Sequence, residues 1–332
     1  MTKKLFKSSL ALSKIVRRIA NVLVVIALIA IIMLVTSLRQ ISVHENVATA
    51  SSYPNRVPRV ALVIPFIQRQ MDRVMNQLSL FQEQENTTNS PFFTACDETV
   101  GKIANFSLVL YTDLELGAKE KDAFMADLRR LAGRTVEKCF GNRVVFEHAN
   151  LPSMLNKHPC GPCSMFYRVF KILAGGFDYF MIMEPDVMPV RQNWLNALAL
   201  EFHTGFLASL NILPASLDFW MKGSVSQCSP FYGNISQRMD LHINGNAMFK
   251  LNDQGFSDYM DRVKSFYPAG PNGCDAGCAT GSPAEGGHDH TLYRFRQSPE
   301  NFVYVRGVLH RFQITGAIVN FCEDWYTASS IL

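Results

Sequence analysis

The chain has 332 residues, 48% of them hydrophobic and 18% charged, with a formal net charge of +4. That length supports one large core, or one domain with appendages. Six positive charges fall within the first 18 residues, which leaves the remainder at about −2; without a basic patch on its folded part, the chain is not expected to bind nucleic acid.

Residues 1–18 carry Lys3, Lys4, Lys7, Lys14, Arg17 and Arg18 and no acidic side chain. Residues 19–38 follow with no charge and one amide, Asn21. At 1.5 Å rise per residue, about 20 apolar residues cross a hydrocarbon core of ~30 Å. A cleaved signal peptide has a shorter apolar stretch, ~7–15 residues, ending in small residues. The small run Ala48-Thr49-Ala50 stands too far downstream for that, so the segment is expected to be a retained anchor. Positive flanks stay in the cytosol, which sends everything after the anchor into the lumen of the secretory pathway. Residues 39–57, polar and small with one proline, read as a stem, and 58–332 as the lumenal domain.

All eight cysteines, Cys96, Cys139, Cys160, Cys163, Cys228, Cys274, Cys278 and Cys322, follow the anchor. In an oxidising compartment they are expected to pair, although eight cysteines allow about 105 pairings. Sequons at Asn86, Asn105 and Asn234 agree with that compartment.

From residue 59 the pattern alternates. Residues 59–64 (RVALVI) are a buried strand ended by Pro65, and residues 67–81 have helical apolar spacing. Residues 106–111 (FSLVLY) are a second strand, ending at Asp113, and 119–140 an amphipathic helix. Residues 143–146 (RVVF) are a third strand and 164–173 a helix. Residues 179–183 (YFMIM) form a fourth strand that runs into Glu184-Pro185-Asp186. Strands apolar throughout, alternating with helices, predict a mostly parallel sheet covered on both faces, an α/β domain. Ligands collect at the carboxyl ends of such strands, where Asp113 and the Glu-Pro-Asp triplet stand. Farther on, 194–202 reads as a helix, 206–210 as a strand, and 242–251 (HINGNAMFKL) as containing a sharp Asn-Gly turn. Residues 268–287 read as a long Gly/Pro/Cys-rich loop, of the kind that often lids or binds. A short helix, 289–296, and a strand, 302–305, complete the pattern.

Glu184 and Asp186, one residue apart at a strand end, can both face one hard divalent cation; magnesium and manganese take few protein carboxylates and share their shell with substrate phosphates. The plainer reading is an acidic exit from a strand. With Pro189 to Leu195 behind it (PVRQNWL), the triplet resembles the metal motif of GT-A fold glycosyltransferases, which use nucleotide-sugar donors and whose Asp-x-Asp has a Glu-x-Asp variant. The resemblance implies a Rossmann-like mixed sheet and a Golgi enzyme, with the endoplasmic reticulum also open. It implies Mn²⁺ or Mg²⁺ held by Asp186 with Glu184 as second ligand or sugar contact, a nucleotide-sugar donor, and a glycan, protein or lipid acceptor.

Other segments carry the resemblance further. Gly286-Gly287-His288-Asp289-His290 is similar to the segment in which inverting members place the acceptor's base. Asp289 would be that base, or only a helix N-cap, and either flanking histidine could contact metal or substrate instead. His310 occupies the place of a late metal-binding histidine; its alternative is a surface loop. Asn244, Gly245 and Asn246 resemble the small-residue lining of the sugar pocket, where the alternative is a tight turn. Pro65 and Asp113 would meet the nucleoside by topology.

Two readings of other classes stand beside this one. Cys160-Gly161-Pro162-Cys163 has the form of a thioredoxin-like redox motif, and would make a lumenal thiol-disulfide oxidoreductase if it were not structural. A relative that keeps the fold and binds glycans without turnover is the third.

Overall fold

The computed structural model describes residues 56–81, 94–152, 155, 160–185, 187, 192–225, 243–269, 274–278 and 287–318. The predicted anchor, Asp186, Asn86, Asn234, Cys228 and Cys322 lie outside them. Residues Val57–Leu332 form one compact unit, separate from Met1–Arg56. Among the described residues no helix is long and apolar enough to cross a membrane.

Seven strands make one sheet: β1 (Arg59–Phe66), β2 (Asn105–Thr112), β3 (Val144–His148), β4 (Tyr179–Ile182), β5 (Met221–Val225), β6 (Ile243–Lys250) and β7 (Phe312–Ile314). Their order is β3-β2-β1-β4-β6-β5-β7, with β6 antiparallel to both neighbours and every other pair parallel. The mostly parallel α/β sheet expected from the apolar strands is therefore present. Successive residues of β1 alternate between two cores, Val60, Leu62 and Ile64 in one and Ala61 and Val63 in the other. The first core is closed by α1 (Met71–Ser79), α2 (Val100–Ile103), α3 (Ala118–Phe140) and α5 (Trp194–Ser209). The second is closed by α4 (Cys160–Leu173), α6 (Gln254–Phe266), α7 (His288–Gln297) and α8 (Phe302–Val308).

Four local expectations are corrected. β1 continues through Pro65 to Phe66, because at that level it pairs only with β2 and its β4 ladder ends at Val63, so no donor is needed from the proline. Asn244-Gly245 makes no turn. It lies inside β6, whose partners β4 and β5 come from elsewhere in the chain, so no hairpin is required there. Residues 206–210 belong to α5 and its end: Leu198, Phe202 and Phe206, four apart, continue one buried helical stripe. Residues 302–305 are the start of α8, after a turn opened by Pro299.

Cys96 bonds to Cys139 at the end of α3, Cys160 to Cys274, and Cys163 to Cys278. Six of the eight cysteines are thus paired, and each cysteine of the Cys-Gly-Pro-Cys motif bonds to the 268–287 segment rather than to the other.

At the amino end of the sheet, the buried Asp218 accepts two hydrogen bonds from Lys250 at 2.9 Å and a further one from Arg311. Lys250 keeps Asp253 when Asp218 is lost, so Asp218→Ala is expected to cost about 1.5–3 kcal/mol in denaturant unfolding, the worth of a charge-assisted bond. Burial opposes ionisation of the neighbouring Asp253, but the bond and charge of Lys250, with the Phe256 amide, hold its carboxyl below the usual range. A depressed carboxyl stabilises fully above its unfolded pKa, about 3.9, and that contribution disappears as pH falls through the lower folded value. Unfolding free energy is therefore expected to drop below about pH 4, less steeply in Asp253→Asn.

Candidate functional site

A cavity of about 1090 Å³ opens at the carboxyl ends of β1, β2 and β4. Small-molecule and cofactor sites occupy about 300–1,000 Å³, so the space suits a large ligand. Its floor is Val63 and Ile182 with Phe166 and Val169 of α4, and its rim carries Arg69, Gln70 and Arg73. Tyr111 forms part of the wall. Its hydroxyl donates to the Met165 carbonyl at 3.0 Å, and burial pushes the phenol well above its usual range, keeping that wall neutral.

Glu184 leaves β4 into this cavity as an exposed side chain. Antiparallel pairing of β4 with β6 brings Asn246 alongside it. The Asn246 side chain accepts from the Glu184 amide at 2.9 Å, and its own amide donates to Glu184 Oε2 at 2.9 Å. From the other face, Gln77 of α1 donates to the carbonyls of Glu184 and Val187, each at 2.8 Å. The Val187 amide donates to the Glu184 carbonyl at 2.9 Å. Buried amides from two elements thus hold an exposed carboxylate at a strand end. A cation site needs this stiffness, since ligand orientation is set by the groups bonded behind it.

Asp289 lines the same cavity, in the first turn of α7. It is not the helix cap: Gly287 holds the N-cap position and Asp289 is the second helical residue. Two glycines pack closely against it. A Cβ on Gly245 would stand 3.1 Å from His288 Cε1 and 3.9 Å from the Asp289 carboxyl carbon, and one on Gly287 would overlap the carboxylate itself. His288 is buried, with its ring stacked on Phe166 at 3.8 Å between centroids and 13° between planes. Phe166 is one turn beyond Cys163, so the Cys163–Cys278 disulfide and the His288 stack both hold α4 to the elements around Asp289.

Of the residues selected from sequence, Pro65, Asp113, Glu184, Gly245 and Asp289 line one cavity, and Asn246 stands directly behind Glu184. Asn244 lies in the same strand, β6. Asn105 opens β2 at the amino end of the sheet, away from the cavity. His310 is excluded from this group. It is exposed and precedes β7, whose first residue is level with Met221 of β5, Phe249 of β6 and Phe180 of β4. Because β7 runs parallel to β4, His310 falls at the amino end of the sheet, opposite Glu184. Sequence order alone placed it late in the chain and could not show which end of its strand it occupies.

Arg69, Arg73, Gln77 and Phe166 escaped the sequence reading. Gln77 had a legible signal, a polar residue on the buried stripe of an amphipathic helix, which calls for a buried acceptor. Among the described residues no group of three or more His, Cys, Asp or Glu side chains is gathered to hold a metal by itself. Compared with known proteins, the chain matches no family model and no curated protein.

Proposed function

We propose that the chain is a metal-dependent glycosyltransferase of the GT-A fold, anchored in a Golgi or endoplasmic-reticulum membrane by residues 19–38. The observation that carries the proposal is Glu184, held by Asn246 and Gln77 at the mouth of a large cavity that Asp289 also lines. The mixed sheet and the cavity at its carboxyl ends support the reading, as do the small residues of β6 beside the acids.

The donor set suits Mg²⁺ or Mn²⁺, which accept one or two carboxylates and take their remaining oxygens from water and phosphate. Glu184 and Asp186 would hold the ion, whose chemistry is to neutralise charge developing on the departing diphosphate. Asp289 takes the proton of the acceptor hydroxyl as that oxygen bonds to the anomeric carbon and the bond to the diphosphate breaks, which inverts the anomeric configuration. The apolar floor limits water's access to the same carbon.

The test is turnover of a panel of nucleotide-sugars with and without Mn²⁺. Hydrolysis or transfer that needs the ion is expected, and Glu184→Gln and Asp186→Ala should each lower it by about 10²-fold or more. Turnover unchanged in both variants would refute the metal assignment. A disulfide-reductase assay on wild type and Cys160→Ser, with loss of turnover in the variant, would favour the oxidoreductase reading.

A further inference from the structure

The arginines at the rim have a setting that the acidic loop does not explain. Arg69 lies in the turn Gln68–Gln70 that leads into α1, Arg73 in the first turn of α1, and Gln77 one turn on. Residues four apart share a helix face and advance about 6 Å per step. Gln77 grips the loop of Glu184 through two 2.8 Å bonds. Arg73 therefore continues that face outward by about one turn, and Arg69, in the 3-10 turn before the helix, lines the same cavity. The described acids of the cavity are Asp113, Glu184 and Asp289. Among the described residues, neither arginine forms an ion pair with these or with any other carboxylate. By contrast Lys222, Lys250 and Arg311 are each paired with a carboxylate.

Two guanidinium groups lining one open cavity, together with the carboxylate of Glu184, suit a ligand with two anionic groups in a row. Arginine is the residue suited to bidentate phosphate contacts. We infer that Arg69 and Arg73 form an anion subsite for the diphosphate of the donor, and that it binds this group without a divalent cation. The inference rests on the proposed nucleotide-sugar chemistry for the identity of the ligand. It adds that the diphosphate has two separate anchors, the arginine pair and the ion at Glu184. An acidic acceptor is disfavoured, because the arginines share the cavity with the loop where the cation would sit, and only the donor's phosphates need to touch both.

Inorganic pyrophosphate is the probe, since it carries the anionic pair without a nucleobase. With the full chain in detergent and EDTA, pyrophosphate should raise the melting temperature by mass action, and the effect should weaken as salt is raised. Arg69→Gln and Arg73→Gln should each lower the apparent affinity by about tenfold, the worth of a charge-assisted bond to an anion. Both side chains are exposed and glutamine is a good helix former, so ligand-free melting should not change. Glu184→Gln should keep the response in EDTA and lose only the increment that Mn²⁺ adds. Equal affinity in the arginine variants, or an equal response to sulfate, would overturn the subsite. If pyrophosphate binds through the arginines but no nucleotide-sugar is ever turned over, the subsite stands and the transferase reading fails. If Mn²⁺-dependent turnover is found and the arginine variants match wild type, the reverse holds.

Discussion

If the proposed transferase chemistry holds, Asp289→Asn is expected to slow sugar transfer by about 10²–10⁴-fold, the usual contribution of a positioned general base. The side chain lies at the cavity wall in the first turn of α7, where Gly287 holds the N-cap position. A carboxylate near a helix amino terminus interacts with the dipole by about 0.3–1 kcal/mol. Unfolding should therefore shift by less than that, while turnover collapses. The two readouts separate a base from a residue that only favours the helix, and donor binding should remain near wild type because no bond to the donor is removed. A variant that loses stability but retains turnover would remove Asp289 from the chemistry.

Phe166→Ala is expected to cost about 3–5 kcal/mol in unfolding, the range for truncating a buried aromatic side chain. Phe166 is 2% exposed, with ring centroids 5.2 Å from Phe170, 5.0 Å from Phe249 and 3.8 Å from His288. Its loss opens a void between α4, the sheet and α7, and the start of α7 loses the surface on which His288 rests. Turnover should fall in the fraction that remains folded, and Phe166→Leu should recover most of the stability but less of the activity, because leucine fills volume without stacking. An effect on stability below about 1 kcal/mol would mean that the second core does not converge on this ring.

The first four strands were legible because β1, β2 and β4 are apolar throughout and each of the four is followed by a helix with clear spacing, whereas β5 and β7 are short and partly polar and were not read. Residues 179–183 could be placed as a strand, and Glu184 at its end, from this alone. Partners brought in from a distance were not legible. Asn246 is 62 residues from Glu184 and Gln77 is 107 residues away. Asn-Gly was misread because local turn preference competes with a strand whose neighbours lie elsewhere in the chain. α5 was cut short because a helix buried around most of its surface lacks the polar face that marks helical period. His310 failed for a topological reason, since strand direction is invisible until pairing is known. Disulfide partners were open in principle, and the Cys-Gly-Pro-Cys spacing suggested a local pair where the fold makes two long-range ones.

The most direct measurement is a calorimetric titration of Mn²⁺ into the full chain with saturating nucleoside diphosphate, comparing wild type with Glu184→Gln. One ion per chain is expected in wild type, with affinity at least about tenfold weaker in the variant, the worth of one charged contact. Manganese binding that is absent in wild type, or identical in the two proteins, would contradict the assignment of this carboxylate to a cation.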